Sequence, residues 1–445
     1  MLFFIKLILF IIILHNIIIN LLSENGIRFM NLFELLEYNI KLYLISSIGF
    51  FYYKKIPIKI LTSISHDPIC IKMHRNLHNK YGKIVMSYII TSAKQYYILD
   101  PYLSKKILED SPFLFNAGKI KTNFFKKFMP KNLGILKCDL NNKCPWGKAR
   151  LYNENVLGTT KRNDFFNCIP KIINNYTNNP LLEINDFINV SYLCVSELIF
   201  GNSNNYLILK RFILKNKENF LKTNFYKDYI ENLNYSYNNS PNCSLLYYAN
   251  KFKYDDIDSI NDQIPHWFMP FVLIIAFMVP SLLCVILNYN TIFTRLNNEI
   301  KKENFDINSK KTLLHYCVIE HIRLFNTVNI NIQRSVKNNI RYNGIDFKKG
   351  DQIFILFSSI LRNKQEFYKP DEFIPDRWEN KNIKDQDIVF GIGPQQCPSK
   401  NITPLIYKSL IFNLLTKHTY VSSMPLLKTK NLYYIDPYQI KFSIL

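Results

Sequence analysis

The chain has 445 residues, 48% of them hydrophobic, enough to bury a large core in one large or two ordinary domains. Its formal net charge of +22 sits mostly on scattered lysines, which suits anionic lipid or an acidic partner protein; no long basic block or nucleic-acid motif is present, so no nucleic-acid partner is expected. Nine cysteines at irregular spacing give neither a disulfide framework nor a zinc site, so a reduced, cytosol-facing domain is expected.

Residues 2–22 are almost continuously apolar, broken by Lys6, His15, Asn16 and Asn20. That length spans a bilayer, and no small-residue cleavage site follows, so a retained anchor is expected rather than a cleaved signal peptide. A second apolar run, 42–53, is followed by Lys54, Lys55, Ile56 and Pro57. Aromatic residues followed by lysines mark a membrane interface, so this run is either a second span or a segment lying in the interface. Residues 1–65 are read as anchor and linker, and 66–445 as one globular domain.

The stretch 77–82, LHNKYG, ends an early helix, and the runs 84–90 and 96–99 read as a hairpin. Asp100 is the candidate N-cap and Pro101 the first position of the next helix. Residues 145–155 read PWGKARLYNEN. On a helix, Trp146 and Arg150 share one face, and an indole N–H and a guanidinium are both good donors to a carboxylate. The stretch 181–200 reads as helical, whereas 202–261 is mostly polar and suits a loop insertion.

Residues 265–287 form the longest internal apolar run, by length either a membrane span or a buried core helix. Pro270 and Pro280 are each expected to interrupt it. No Asp, Glu, Ser or Thr lies between His266 and Val279.

Within 311–324, KTLLHYCVIEHIRL, Glu320 and Arg323 lie one turn apart on a helix face. Such a pair alone is ordinarily a surface bridge. The segment 373–378, FIPDRW, adds Arg377, 20 residues before Cys397. Between them Arg334 lies in a strand-like run, followed by the turn signal Tyr342-Asn343-Gly344 and a second turn at Lys349-Gly350-Asp351. A buried strand is expected over 353–357.

Residues 389–400 read VFGIGPQQCPSK, and an apolar run at helical spacing follows over 405–415. Two glycines and a proline bend the backbone tightly before Cys397. A thiolate there can receive N–H donors and the positive end of a helix, which stabilise its charge. Thr403-Pro404 reads as the cap and first position of that helix. The chain end suits a closing hairpin with a turn near Asp436-Pro437.

Together, WxxxR, ExxR, the PxRx segment and the cysteine loop stand in the order, and near the spacing, of cytochrome P-450. The chain resembles that family from about residue 66 onwards. Phe390, Gly393 and Cys397 match its FxxGxRxCxG loop, whereas Gln395 stands in place of the Arg and Ser399 in place of the second Gly. The resemblance implies a mainly α fold with small β-sheets (α+β) and a long central helix over a haem. It implies one haem b (iron protoporphyrin IX) with Cys397 as the iron ligand, and Trp146, Arg150 and Arg334 as donors to the haem propionates. Glu320, Arg323 and Arg377 would form a buried structural triad. Residues 265–287 would be the central helix, because a span there would split the haem site across a membrane. The family's Ala-Gly-x-Asp/Glu-Thr stretch has no counterpart; 270–276 reads PFVLIIA.

The resemblance implies monooxygenation of a hydrophobic, lipid- or sterol-like substrate. Electrons would come from a separate NADPH-dependent flavoprotein reductase, since no GxGxxG fingerprint is fused. The implied location is a membrane, by a single N-terminal anchor with the domain facing the cytosol, as at the endoplasmic reticulum. Two further readings stay open. One is a hydroperoxide or endoperoxide isomerase or dehydratase of the same fold; the other is a degenerate haem-binding relative. No residue beyond the haem contacts is assigned a catalytic role.

Overall fold

A computed structural model of the chain describes residues 26–38, 71–87, 94–117, 145–158, 181–202, 244–252, 264–325, 332–422 and 439–444, with short pieces at 169–170, 172–173, 206–207 and 435. The expected anchor at 2–22, the second apolar run at 42–53, most of the polar stretch 202–261 and the Asp436-Pro437 turn lie outside these residues.

In chain order the elements begin with α1 (Ile71–Tyr81), β1 (Ile84–Ser87), β2 (Gln95–Ile98), α2 (Pro101–Glu109) and β3 (Phe115–Ala117). Then come α3 (Pro145–Gly158), β4 (Leu181–Glu183), α4 (Ile184–Phe200) and α5 (Leu245–Lys251). A long helix follows in three parts: α6 (Ile264–Leu273), a π-helical stretch Ile274–Met278, and α7 (Val279–Asn288). Next are α8 (Asn290–Ile300), α9 (Leu313–Phe325), β5 (Ile332–Val336), β6 (Ile340–Tyr342), β7 (Ile345–Phe347), β8 (Gln352–Ile355) and α10 (Phe357–Leu361). The chain closes with α11 (Ile383–Gln386), α12 (Ile402–Lys417), β9 (Tyr420–Ser422) and β10 (Lys441–Ile444). The fold is mainly α with small sheets, as expected. It divides into two units, one of residues 1–123, 326–370 and 392–395, the other of 124–325, 371–391 and 396–445.

The first unit is built on a five-stranded sheet, β1-β2-β8-β5-β3. The expected hairpin is present, with Ile84 opposite Ile98 and Ser87 opposite Gln95. Strand β8 joins β2 in parallel, and β5 pairs antiparallel with β8. These strands are apolar because they are covered: Ile98, Ile353 and Ile355 are fully buried. Asp100 caps α2, its Oδ1 accepting from Leu103 N at 2.7 Å, with Pro101 in the first turn. The β6–β7 turn uses Asn343 and Gly344 at φ 49° and 79°, the conformation that an Asn-Gly hairpin turn requires.

The second unit is a helical assembly with a three-stranded sheet, β4-β10-β9. Residues 181–200 are not helical throughout. Leu181–Glu183 pairs with β10, and Glu183 and Asp186 then form a capping box that starts α4. Residues 264–288 form the core helix, with Trp267, Phe268, Phe271, Ile275 and Leu282 buried. Its first two parts pack on α4, and α7 packs on α9 and α12. Most of this helix is buried against its neighbours, as the buried-helix reading of its apolar composition expects. Pro270 does not interrupt the helix as expected; α6 runs through it. Pro280 is accommodated by a change of pitch instead. Val279 N bonds to Ile274 O, five residues back, immediately before the position where the proline ring would crowd the Ala276 carbonyl.

Candidate functional site

In the second unit, Glu320 on α9 is fully buried. Arg323 Nε donates to its Oε2 at 2.8 Å and Arg323 Nη2 to its Oε1 at 2.8 Å. Arg377, on the 3-10 turn Pro375–Trp378, donates through Nε to Oε1 at 2.9 Å. The expected triad is therefore brought together. Two further donors were not legible as partners: Ile374 N at 3.0 Å and Trp378 Nε1 at 2.9 Å. Burial alone pushes the Glu320 carboxyl up, but the two guanidiniums and the Ile374 N–H outweigh it and hold it below its ordinary value.

The cysteine loop follows from a 3-10 turn, Asp387–Phe390. Phe390 is buried, and its carbonyl accepts from Cys397 N at 2.9 Å, which closes the loop. The Gln396 amide donates to the carbonyls of Asp387 at 3.0 Å and Gly391 at 2.9 Å. Its oxygen accepts from Lys400 Nζ at 3.0 Å, and Lys400 also pairs with Asp387 at 3.0 Å. Gln396, Lys400 and Asp387 thus brace the turn, a role the sequence reading missed. Cys397 is part-exposed, whereas Cys194, Cys284 and Cys317 are buried. Helix α12 starts at Ile402, and its first hydrogen bond runs from Thr403 N to Ser399 O at 2.9 Å. Thr403-Pro404 is therefore inside the helix and not its cap, so the helix N-terminus lies closer to Cys397 than the sequence indicated.

The middle of the loop, 392–395, belongs to the first unit. Gly393 has φ +75°, and a Cβ there would lie 2.3 Å from the Leu108 carbonyl oxygen. Only glycine permits that approach. Arg334, on β5, is buried; its Nε donates to Ser111 Oγ at 3.0 Å and its Nη1 to Gln333 O at 2.8 Å. Burial lowers its pKa to about 10, and no carboxylate pairs with it among the described residues. A buried guanidinium without a counter-charge suits an anionic group of a bound ligand.

Trp146 lies on α3, as expected, but its side chain is outside the described residues. Arg150, one turn on, donates through Nε to Glu154 Oε1 at 2.7 Å. On the central helix, Ser281 is the first hydroxyl after the apolar stretch. It faces His321 Nε2 at 3.0 Å within the core.

A part-exposed cysteine on a loop leading into a buried helix, and a buried carboxylate-centred ion network in the same unit, are the features that the resemblance to a haem-thiolate fold implies. The comparisons narrow this to a family. The cytochrome P450 family model matches residues 281–430. Cytochrome P450 3A15 of Cavia porcellus is 28% identical over 137 residues, 28% of this chain and 27% of its own length. Phenylacetaldehyde oxime monooxygenase CYP71AN24 of Prunus mume is 32% identical over 102 residues, 22% of this chain and 19% of its own. Cholesterol 16,22-dihydroxylase CYP90G4 of Trigonella foenum-graecum is 28% identical over 115 residues, 25% and 24% respectively. The matches thus span about a quarter of each relative or less. A solved structure, the cytochrome P450DA heme domain, has a TM-score of 0.64 at 14% identity, covering 87% of this chain and 93% of that one. Over the matched third of its length and in its fold, the chain is similar to the cytochrome P450 family. Proteins of this fold hold a haem; the part-exposed Cys397 in one unit and the buried Arg334 in the other are each of a residue type that suits one.

Proposed function

We propose that the chain is a haem-thiolate monooxygenase of a hydrophobic, lipid- or sterol-like substrate, holding haem b through Cys397. The observation that carries this reading is the setting of Cys397: a part-exposed thiol at the end of a braced loop, beside a helix N-terminus. Bound haem would supply O2 chemistry, with thiolate donation favouring O–O cleavage. The chain's own part is to bind and orient it. Cys397 would ligate the iron; Trp146, Arg150 and Arg334 would be the donors to the propionates; Phe390 and Gly393 shape the loop. Glu320, Arg323 and Arg377 hold the core of the second unit together. The cholesterol dihydroxylase among the relatives agrees with a hydrophobic substrate. Electrons would come from a separate NADPH-dependent flavoprotein, for which a basic face is suited. Attachment to a membrane is proposed through residues 2–22, with the domain on the cytosolic side.

A second reading is favoured by the central helix. Splitting O2 needs protons, yet from Trp267 to Met278 no residue carries a carboxyl or hydroxyl group. Pro280 has no N–H to donate and is met by a π-helical turn, so this stretch offers no side-chain acid for a proton relay. Reductase-driven electron flow should therefore be loosely coupled, and a hydroperoxide substrate handled better. The test compares two assays of the purified protein. One supplies NADPH, reductase and O2; the other supplies a lipid hydroperoxide alone. Tight coupling of NADPH use to hydroxylated product supports the monooxygenase and refutes loose coupling. Hydroperoxide conversion without reductase supports the second reading. Activity in neither assay contradicts both and leaves the degenerate relative.

A further inference from the structure

Ser399 occupies the place where the family's loop carries its second glycine, and its hydroxyl is not idle. Ser399 Oγ lies 3.1 Å from Cys397 Sγ. The Thr403 hydroxyl donates to the same Oγ at 3.2 Å, one turn along α12. Both Ser399 and Thr403 are buried. A thiolate has no proton, so when Cys397 is ionised the Ser399 hydroxyl must be the donor. The Thr403 contact fits that direction, because it occupies a Ser399 lone pair and leaves the Ser399 proton for sulfur. Pro398, next to the cysteine, has no N–H to offer. A side-chain donor therefore acts beside a residue that cannot supply a backbone one.

We infer that Ser399, supported by Thr403, is a positioning residue that tunes Cys397 by hydrogen-bonding to its sulfur. This rests on the reading of Cys397 as the iron ligand. The physical sign follows from charge. Sulfur carries more negative charge when the iron is ferrous than when it is ferric. A hydrogen bond to sulfur therefore stabilises the ferrous form more and raises the reduction potential. The same bond draws electron density from sulfur and weakens its donation to iron. Glycine at this position gives up that side-chain donor; serine makes reduction easier at the cost of thiolate push.

The test uses the haem-loaded full-length protein and the variants Ser399→Ala, Ser399→Gly and Ser399→Thr. The ferric/ferrous midpoint potential is measured by spectroelectrochemical titration, and the iron–sulfur stretch by resonance Raman. Ser399→Ala and Ser399→Gly are expected to lower the potential and raise the stretching frequency, while Ser399→Thr, which keeps a hydroxyl, stays near wild type. If no variant takes up haem, wild type in D2O after brief exchange serves. A shift of the iron–sulfur stretch in D2O supports the bond; an unchanged frequency overturns it. If wild type shows thiolate ligation and both hydroxyl-less variants match it in potential and frequency, the inference falls while the haem reading stands. If wild type shows no thiolate ligation, the haem reading falls and takes the inference with it.

Discussion

Trp378 Nε1 donates to Glu320 Oε2 at 2.9 Å, so the residue next to Arg377 in sequence contacts the same carboxylate. A tryptophan in the FIPDRW segment adds a neutral donor to what the sequence showed as a set of three charges. The carboxylate is saturated from several directions, and that makes full burial tolerable.

Removing one partner should expose the cost. Arg323→Ala leaves Glu320 buried with half its positive charge gone and should destabilise by about 3–5 kcal/mol. Trp378→Phe keeps most of the packing but removes one bond to a charged acceptor, for about 1.5–3 kcal/mol. Urea unfolding of both variants measures this. An Arg323→Ala protein as stable as wild type would show that the network contributes nothing.

Gly393→Ala tests the close approach of the loop to α2. The left-handed backbone costs an L residue about 1–2 kcal/mol, and the clash with Leu108 adds to it. The loop should be displaced, with reduced stability and less haem bound per chain. Wild-type values for both would contradict the geometry.

Lys408, on α12, is buried with its Nζ donating to Ser309 O at 2.9 Å, and burial lowers its pKa to about 8. Between about pH 8 and its ordinary 10.5 the unfolded chain binds more protons, so wild-type stability rises with pH in that window. Below about 8 the burial penalty is present in full. Replacing Lys408 by Met removes about 3 kcal/mol of penalty and about 1 kcal/mol of hydrogen bond. Lys408→Met should therefore be more stable than wild type by about 2 kcal/mol at neutral pH, and the gain should vanish above about pH 10.5. Thermal melts across this range would show it; a variant less stable at pH 7 refutes the sign.

Deleting residues 1–55 should move most of the protein out of the integral-membrane fraction. Residual apolar surface would keep some of it peripherally bound. If the shortened chain still resists alkaline carbonate extraction, another segment anchors it, and the helix over 264–288 becomes the suspect.

Much of this fold was legible because local chemistry and tertiary context agree. Asp100-Pro101, Asn343-Gly344 and the hairpin of β1 and β2 form as their residues dictate. The contact of Glu320 with Arg323 and Arg377 was legible through the resemblance of ExxR and the PxRx segment to a family pattern. What was missed depends on partners distant in sequence. Strand β4 looked helical because its pairing with β10 is a long-range contact. Pro270 and Pro280 signalled breaks, yet packing on α4, α9 and α12 carries the helix through one and widens its turn ahead of the other. The cap assigned to Thr403 gave way to a helix starting earlier, because Ser399 supplies the first acceptor carbonyl. The bracing by Gln396 was invisible because its acceptors are backbone carbonyls, which no residue pattern encodes.

The most direct test of the central claim is the reduced-plus-CO difference spectrum of the purified protein and of Cys397→Ala. The account predicts the red-shifted band of a thiolate-ligated haem in the wild type and its loss in the variant. A wild type that binds no haem, or a Cys397→Ala protein that keeps the band, would contradict it.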